Sequence, residues 1–219
     1  MSAIIYDELE SDFDYDVDVV FNELVSDVFD DMSAVKTVDV ASCITRNAHT
    51  FCDQACMAGY AFSMSSCHPG CSSCCTLFVS IFPGEARVIA EQIKTIPKPE
   101  FDMIVSRIKR NAKIEANGVD DYIKTRAKCA FLDRSSCQCM IYHERPLACR
   151  LYDSLDVDAC KAGVGDPDAG IPRSVSLLST DELMNRAITL VYERFGLVAD
   201  KAPLHLSVIR ALTTRNGNR

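Results

Sequence analysis

The stretch Cys67-His68-Pro69-Gly70-Cys71-Ser72-Ser73-Cys74-Cys75 sets four thiols within nine residues, with Pro69 and Gly70 bending the backbone between them. Further along come Cys129-Ala130-Phe131-Leu132-Asp133 and then Cys139-Met140-Ile141-Tyr142-His143-Glu144-Arg145-Pro146-Leu147-Ala148-Cys149-Arg150. Soft sulfur donors repeated at such short gaps can surround a single point, which suits zinc or an iron–sulfur cluster. Packing alone does not ask for that pattern. The fold expected around it is mainly α, with irregular metal-binding loops and one or two short strands. It is read as a single domain in which the loops bearing the two cysteine sets converge on one metal centre.

Length and composition permit this. A chain of 219 residues buries roughly 70% of its unfolded surface on folding, so a hydrophobic core is available and the metal need not rescue a miniature fold. No apolar run approaches the roughly 18 residues of a membrane helix. The first residues lack the basic and apolar regions of a secretory signal, so a cytoplasmic location is expected. There the twelve cysteines stay reduced and read as metal-binding or catalytic before they read as disulfides.

Charge is unevenly placed. Residues 1–40 hold twelve Asp and Glu against the single Lys36, while the whole chain carries a net charge of -8. Nucleic acid and anionic membrane are bound through basic surface, so neither is an expected partner. The acidic segment is a solvated face or a docking surface for a basic protein.

Three regions follow from the pattern: an acidic leader over 1–40, a cysteine-rich metal-binding region over 41–162, and C-terminal helices over 163–219 that pack on it. Within the leader, Val17, Val20, Phe21, Leu24, Val25, Val28 and Met32 recur at helical steps and predict a helix over 16–32. Cys52 and Cys56, four apart, share one side of a helix if one forms there. Thr76 to Phe82 is rich in β-branched and aromatic residues and predicts a strand. Helices follow over 85–96 and from about Pro99, the second with Phe101, Ile104, Val105 and Ile108 as its stripe; the polar stretch to Lys128 completes a spacer between the cysteine sets. Gly163 to Pro172 is turn chemistry. Ser179-Thr180-Asp181-Glu182 has the form of a capping box for a helix with the stripe Leu183, Ala187, Ile188, Val191, Tyr192 and Phe195, stopped at Gly196. A last short helix is expected from Leu204 to about Thr213.

The run Cys67-x3-Cys71-x2-Cys74-Cys75, the segment Cys129-Ala-Phe-Leu-Asp, and Cys139-x-Ile141-Tyr142-x-x-Arg145-Pro146-x-x-Cys149-Arg150 together resemble the bacterial YkgJ-type cysteine cluster proteins, described as zinc- or iron-chelating domains. The resemblance covers roughly residues 67–160. It implies metal ligation by Cys67, Cys71, Cys74, Cys75, Cys129, Cys139 and Cys149. Ala130 stands where the family usually has proline. Cys137 falls off the motif, Cys160 is in a trailing position, and Cys43, Cys52 and Cys56 lie outside it, so these are secondary candidates.

Spacing does not choose between zinc and iron, but a thiolate-only set larger than a structural zinc needs favours a 4Fe-4S cluster. Arg145 and Arg150 are candidate cofactor-binding residues, since arginine beside thiolates offsets negative charge or holds a carboxylate or phosphate; the rival reading pairs them with local acids. His68 and His143 are lesser candidate zinc ligands. His49 and His205 read as ordinary surface or core histidines.

Other functions fit less well. The Cys67-x3-Cys71-x2-Cys74 spacing matches that of radical S-adenosylmethionine enzymes, yet the barrel pattern of those enzymes does not follow it. Similar clusters in proteins that methylate flagellin lysines leave a cluster-dependent protein-modifying role open. Thiol redox chemistry at Cys74 and Cys75, or at Cys137 and Cys139, lacks a thioredoxin-like pattern, and a nucleic-acid-binding zinc ribbon lacks its basic stripe. A zinc-stabilised interaction protein is the remaining alternative.

Overall fold

Heptad-like spacing of apolar residues builds most of the molecule. The computed structural model describes residues 16–34, 39–58, 65–68, 70–163 and 170–214. Helix α1 (Val17–Ala34) starts where the Asp18 N–H donates to Asp16 Oδ1 at 3.1 Å. Its Val20, Leu24 and Val28 are fully buried, while Met32 remains 41% exposed. Helix α2 (Val40–Ala58) and α8 (Val175–Arg194) close a first core over this stripe, with Ile44, Phe51, Met184, Ile188, Val191 and Tyr192 among its members. Each such buried side chain contributes about 1.5–3 kcal/mol of transfer free energy.

A second core joins α3 (Pro83–Lys94), α4 (Lys98–Glu115) and α9 (Leu204–Thr213) through Ile89, Ile93, Ile104, Ile108, Leu204 and Val208. Helix α3 packs on both α2 and α9 and so links the two cores. Its approach to α2 is close enough to require glycine: a Cβ on Gly84 would stand 2.1 Å from the Ala41 carbonyl oxygen and 2.4 Å from Thr45 Oγ1. The Gly84 N–H donates instead to the Tyr192 hydroxyl at 2.9 Å, bringing α8 to the same spot.

The expected strand over Thr76–Phe82 contracts to Ser80–Ile81 (β1), which pairs antiparallel with Ala202–Pro203 (β2). The reason is local. Residues Ser73–Thr76 wind into a 3-10 turn, with the Leu77 N–H donating to Cys74 O and the Thr76 hydroxyl to Ser73 O. Ile81 then points into the second core and Phe82 into the first.

The spacer contains an additional short helix, α5 (Val119–Thr125), entered through Gly118 at φ +106°. Helices α6 (Leu147–Arg150) and α7 (Val157–Gly163) follow the last motif cysteines. Helix α8 begins earlier than the Ser179 box implies: Ser174 caps it, its Oγ accepting the Leu177 N–H at 3.3 Å. Gly196 does stop it, at φ +68°. Helix α9 takes the expected span. Residues 1–15 of the acidic leader and 164–169 of the turn-rich stretch lie outside the described residues. Among the described residues no helix is long and apolar enough to cross a membrane. Among the described residues the chain is mostly helical with one short two-stranded sheet, as the sequence implies.

Candidate metal centre

Tight turns present the cysteines. The Cys71 N–H donates to His68 O (2.9 Å) around Gly70, whose φ of +88° suits a residue without a Cβ. Cys74 and Cys75 sit on the 3-10 turn that follows. The second set is joined to the first through the backbone, because the Cys129 N–H donates to Cys75 O at 2.6 Å.

From Cys129 the chain makes a small hairpin-like loop. Leu132 bridges Cys139, the Met140 N–H donates to Phe131 O, and the Asp133 N–H donates to Gln138 O. The Asp133 carboxylate closes the loop by accepting the Ser135 N–H and the Ser135 and Ser136 hydroxyls. The Ser136 hydroxyl, followed by the Ser135 groups, lowers its pKa to about 2. This accounts for the acid that ends the Cys129-Ala-Phe-Leu-Asp segment. Cys149 rides on α6, whose first turn is set by Pro146.

The second cysteine segment is anchored in both cores, through Ala130, Phe131 and Ile141 on one side and Leu147 and Leu151 on the other. Glu85 adds a polar tie: its carboxylate accepts the Phe82 N–H at 2.7 Å and the Leu147 N–H at 2.6 Å. A buried carboxylate that satisfies two backbone donors is worth more than either bond alone, since its loss strands both.

The thiols that result feel one another across the two sets. Burial raises Cys149, and the charges of Cys74, Cys139 and Glu85 raise it further. Burial likewise raises Cys129, with Cys149 and Cys139 adding to it. The hydrogen bond to Cys75, then burial and the Cys75 charge, raise Cys74. Cys139 is raised by burial and by Cys74. Yet none of the four is shut off from solvent, and Cys149 is exposed.

Such a set fits a soft cation. Thiolates that repel one another stay protonated on their own, and a multivalent metal reverses that balance by releasing the protons. No disulfide joins the described cysteines of the two sets. Among the described residues, no three His, Cys, Asp or Glu side chains are already drawn together tightly enough to hold one ion.

Cys67 and Cys71 belong to the adjoining neighbourhood of Cys160. Burial raises the Cys160 thiol, and the charges of Cys74, Cys71 and Cys67 add to this. Cys43 and Cys52 lie in the first core, with Cys43 donating to Asp31 Oδ2 at 2.9 Å, and the side chain of Cys56 is outside the described residues. Cys137 adopts φ +55° beside the Asp133 loop.

The two arginines divide. The Arg145 guanidinium stacks over the Tyr142 ring, 4.1 Å from its centroid, and its charge favours the thiolates of Cys74, Cys139 and Cys149. Its Nε is buried without a hydrogen-bond partner. Arg150 is committed to protein: it donates to both Asp53 oxygens at 2.6 Å, to Arg145 O at 3.1 Å and to His143 O, with His49 Nδ1 3.3 Å away. Arg150 therefore braces the 143–150 segment against α2. His143 stands edge-on to Tyr142 at the surface.

Residues 66–165 match the family model described as "CxxCxxCC: Putative zinc- or iron-chelating domain". The match covers a little under half of the chain, and over that stretch the chain is similar to this family. No curated protein and no solved structure matches the chain. The matched stretch spans both cysteine sets, the linking helices α3, α4 and α5, and α6 and α7 beyond them.

Two supports of the matched stretch have no signature in the sequence. One is Glu85, which appeared only as a helix-start residue. The other is His205, outside the family match, whose Nε2 accepts the Ala130 N–H at 3.1 Å. A proline at 130 lacks that donor, so Ala130 leaves this bond available.

Proposed function

We propose that the matched stretch of this chain is a YkgJ-type metal-binding unit whose ligands come from Cys67, Cys71, Cys74, Cys75, Cys129, Cys139 and Cys149. The observation that carries this reading is the Cys129 N–H donating to Cys75 O at 2.6 Å, which sets the second cysteine segment against the first, and the mutual influence of Cys74, Cys129, Cys139 and Cys149 supports it. The all-thiolate donor set suits a 4Fe-4S cluster, for which four of these cysteines suffice. When bound, such a cluster supplies one-electron redox chemistry. The residues of the chain then have distinct tasks: the thiols hold the metal, Arg145 offsets their negative charge, and Arg150 keeps the Cys149 segment in place.

The role that follows from iron is electron transfer or support of a protein-modifying reaction in the cytoplasm. The acidic N-terminal segment is the proposed docking surface for a basic protein, because α1 keeps Asp18, Glu23, Asp27, Asp30 and Asp31 at the surface.

The deciding experiment is purification without oxygen, followed by metal and sulfide analysis and visible spectroscopy. Brown protein with acid-labile sulfide, bleached by dithionite, is the expected result. Colourless protein with one equivalent of zinc replaces the redox role with a structural one. Protein that takes up neither metal overturns the reading altogether.

A further inference from the structure

His205 and Glu115 form a buried polar pair outside both cysteine sets. Both side chains are almost fully buried, at 2% and 1% exposure. Glu115 is at the end of α4, and its Oε1 lies 2.6 Å from His205 Nδ1 and accepts the His205 N–H at 3.2 Å. Its Oε2 accepts the Leu206 N–H at 2.8 Å, so the carboxylate also caps the start of α9.

The other ring nitrogen faces donors only. The Ala130 N–H points at His205 Nε2 from 3.1 Å, and the Asn111 amide nitrogen lies 3.4 Å from it. A nitrogen approached by N–H groups accepts, so Nε2 carries no proton. The ring is then the Nδ1–H tautomer, donating to Glu115. Phe131 and Tyr122 both stack with the ring, at centroid distances of 5.9 and 6.4 Å. The Asn111 amide further donates to Lys128 O at 2.9 Å. Both residues flanking Cys129 are therefore held from α4 and α9.

We propose that His205, oriented by Glu115, is a positioning residue for metal binding: through the Ala130 N–H it fixes the Cys129 backbone, whose own N–H donates to Cys75 O, so that α9 supports metal binding although it lies outside the family match. The inference rests on the proposed ligand role of Cys129. Outer partners of a metal site commonly change its affinity by about 10- to 100-fold, and His205→Ala is expected to weaken zinc by about that factor, measured by competition with a chromophoric chelator. His205→Gln, whose side chain can still accept the Ala130 N–H, recovers most of the affinity.

A second measurement separates positioning from general loosening. In metal-free protein, alkylation followed by mass spectrometry reads each cysteine separately. With His205→Ala, Cys129 is expected to react several-fold faster while Cys43 and Cys52 keep their rates. Acceleration of all three together, or of none, overturns the positioning role. Cys129→Ser serves as the control on the underlying reading. If it weakens zinc and His205→Ala does not, the positioning role alone is wrong; if Cys129→Ser binds zinc like the wild type, or the wild type binds none, the ligand assignment fails and the positioning role fails with it.

Discussion

Glu85 Oε1 accepts the Leu147 N–H at 2.6 Å across 62 residues of sequence, tying the helix after the first cysteine set to the short helix that carries Cys149. The same carboxylate accepts the Phe82 N–H through Oε2. Both oxygens are engaged, so Glu85→Gln must turn an NH2 group toward one of two backbone donors. The variant is expected to lose about 1–3 kcal/mol of stability, read from urea unfolding of metal-free protein. An unchanged midpoint and slope would show that this tie contributes nothing.

Gly84 is the contact between α2 and α3. Alanine there places a methyl group against the Ala41 carbonyl, a backbone atom that cannot rotate away. Overpacking of this kind costs about 1–3 kcal/mol or more, and here it also disturbs the Gly84–Tyr192 hydrogen bond. Gly84→Ala is expected to lower the melting temperature more than Gly170→Ala, where nothing lies within 4 Å of the added carbon. Equal effects at the two positions would show that the helices separate at little cost.

Periodicity made the helices legible. Val20, Leu24 and Val28, like Ala187, Ile188, Val191 and Tyr192, repeat at helical steps because one face must be buried, and the structure buries them. The strand at Thr76–Phe82 was overread because β-propensity reports a surface that packs well; the 3-10 turn at Ser73–Thr76 takes the front of that stretch. Helix α5 was missed since a single turn-rich amphipathic segment carries little periodic signal. In the candidate site, cysteine spacing identified the thiols, whereas the residues that hold them in place are long-range partners. Glu85, Asp53 and His205 act across the fold, and no local pattern distinguishes such acids and histidines from ordinary ones.

Cys43 gives a pH prediction apart from the proposed ligands. Burial, then the hydrogen bond to Asp31 and its charge, raise the thiol from 9.0 to about 12. The folded state thus favours the neutral thiol more than the unfolded state does. Its contribution is fully present below pH 9.0 and is lost as pH rises toward about 12. Cys43→Ser keeps a hydroxyl donor for Asp31 and cannot ionise in this range. In metal-free protein, the wild type is therefore expected to lose stability more steeply than Cys43→Ser above pH 9.0. Parallel pH profiles would place the thiol in a solvated setting.

The proposed donors make the sharpest contrast with the core cysteines. Cys149 feels the charges of Cys74 and Cys139, while Cys43 packs against α1 and donates to Asp31. Cys149→Ser and Cys71→Ser each replace a soft donor by a hydroxyl, which binds zinc or iron poorly, so both are expected to lose metal on purification or under mild chelator challenge. Cys43→Ser is expected to keep the wild-type metal content. Arg145→Gln leaves every thiol in place but removes the positive charge that favours the thiolates of Cys74, Cys139 and Cys149. It should retain metal at neutral pH with weaker affinity, and its metal should be released by acid at a higher pH than that of the wild type, because protons compete more readily once the thiolates lose that support. Identical acid release for Arg145→Gln and wild type would remove Arg145 from the site, and full metal content in both Cys149→Ser and Cys71→Ser would remove the donor set itself.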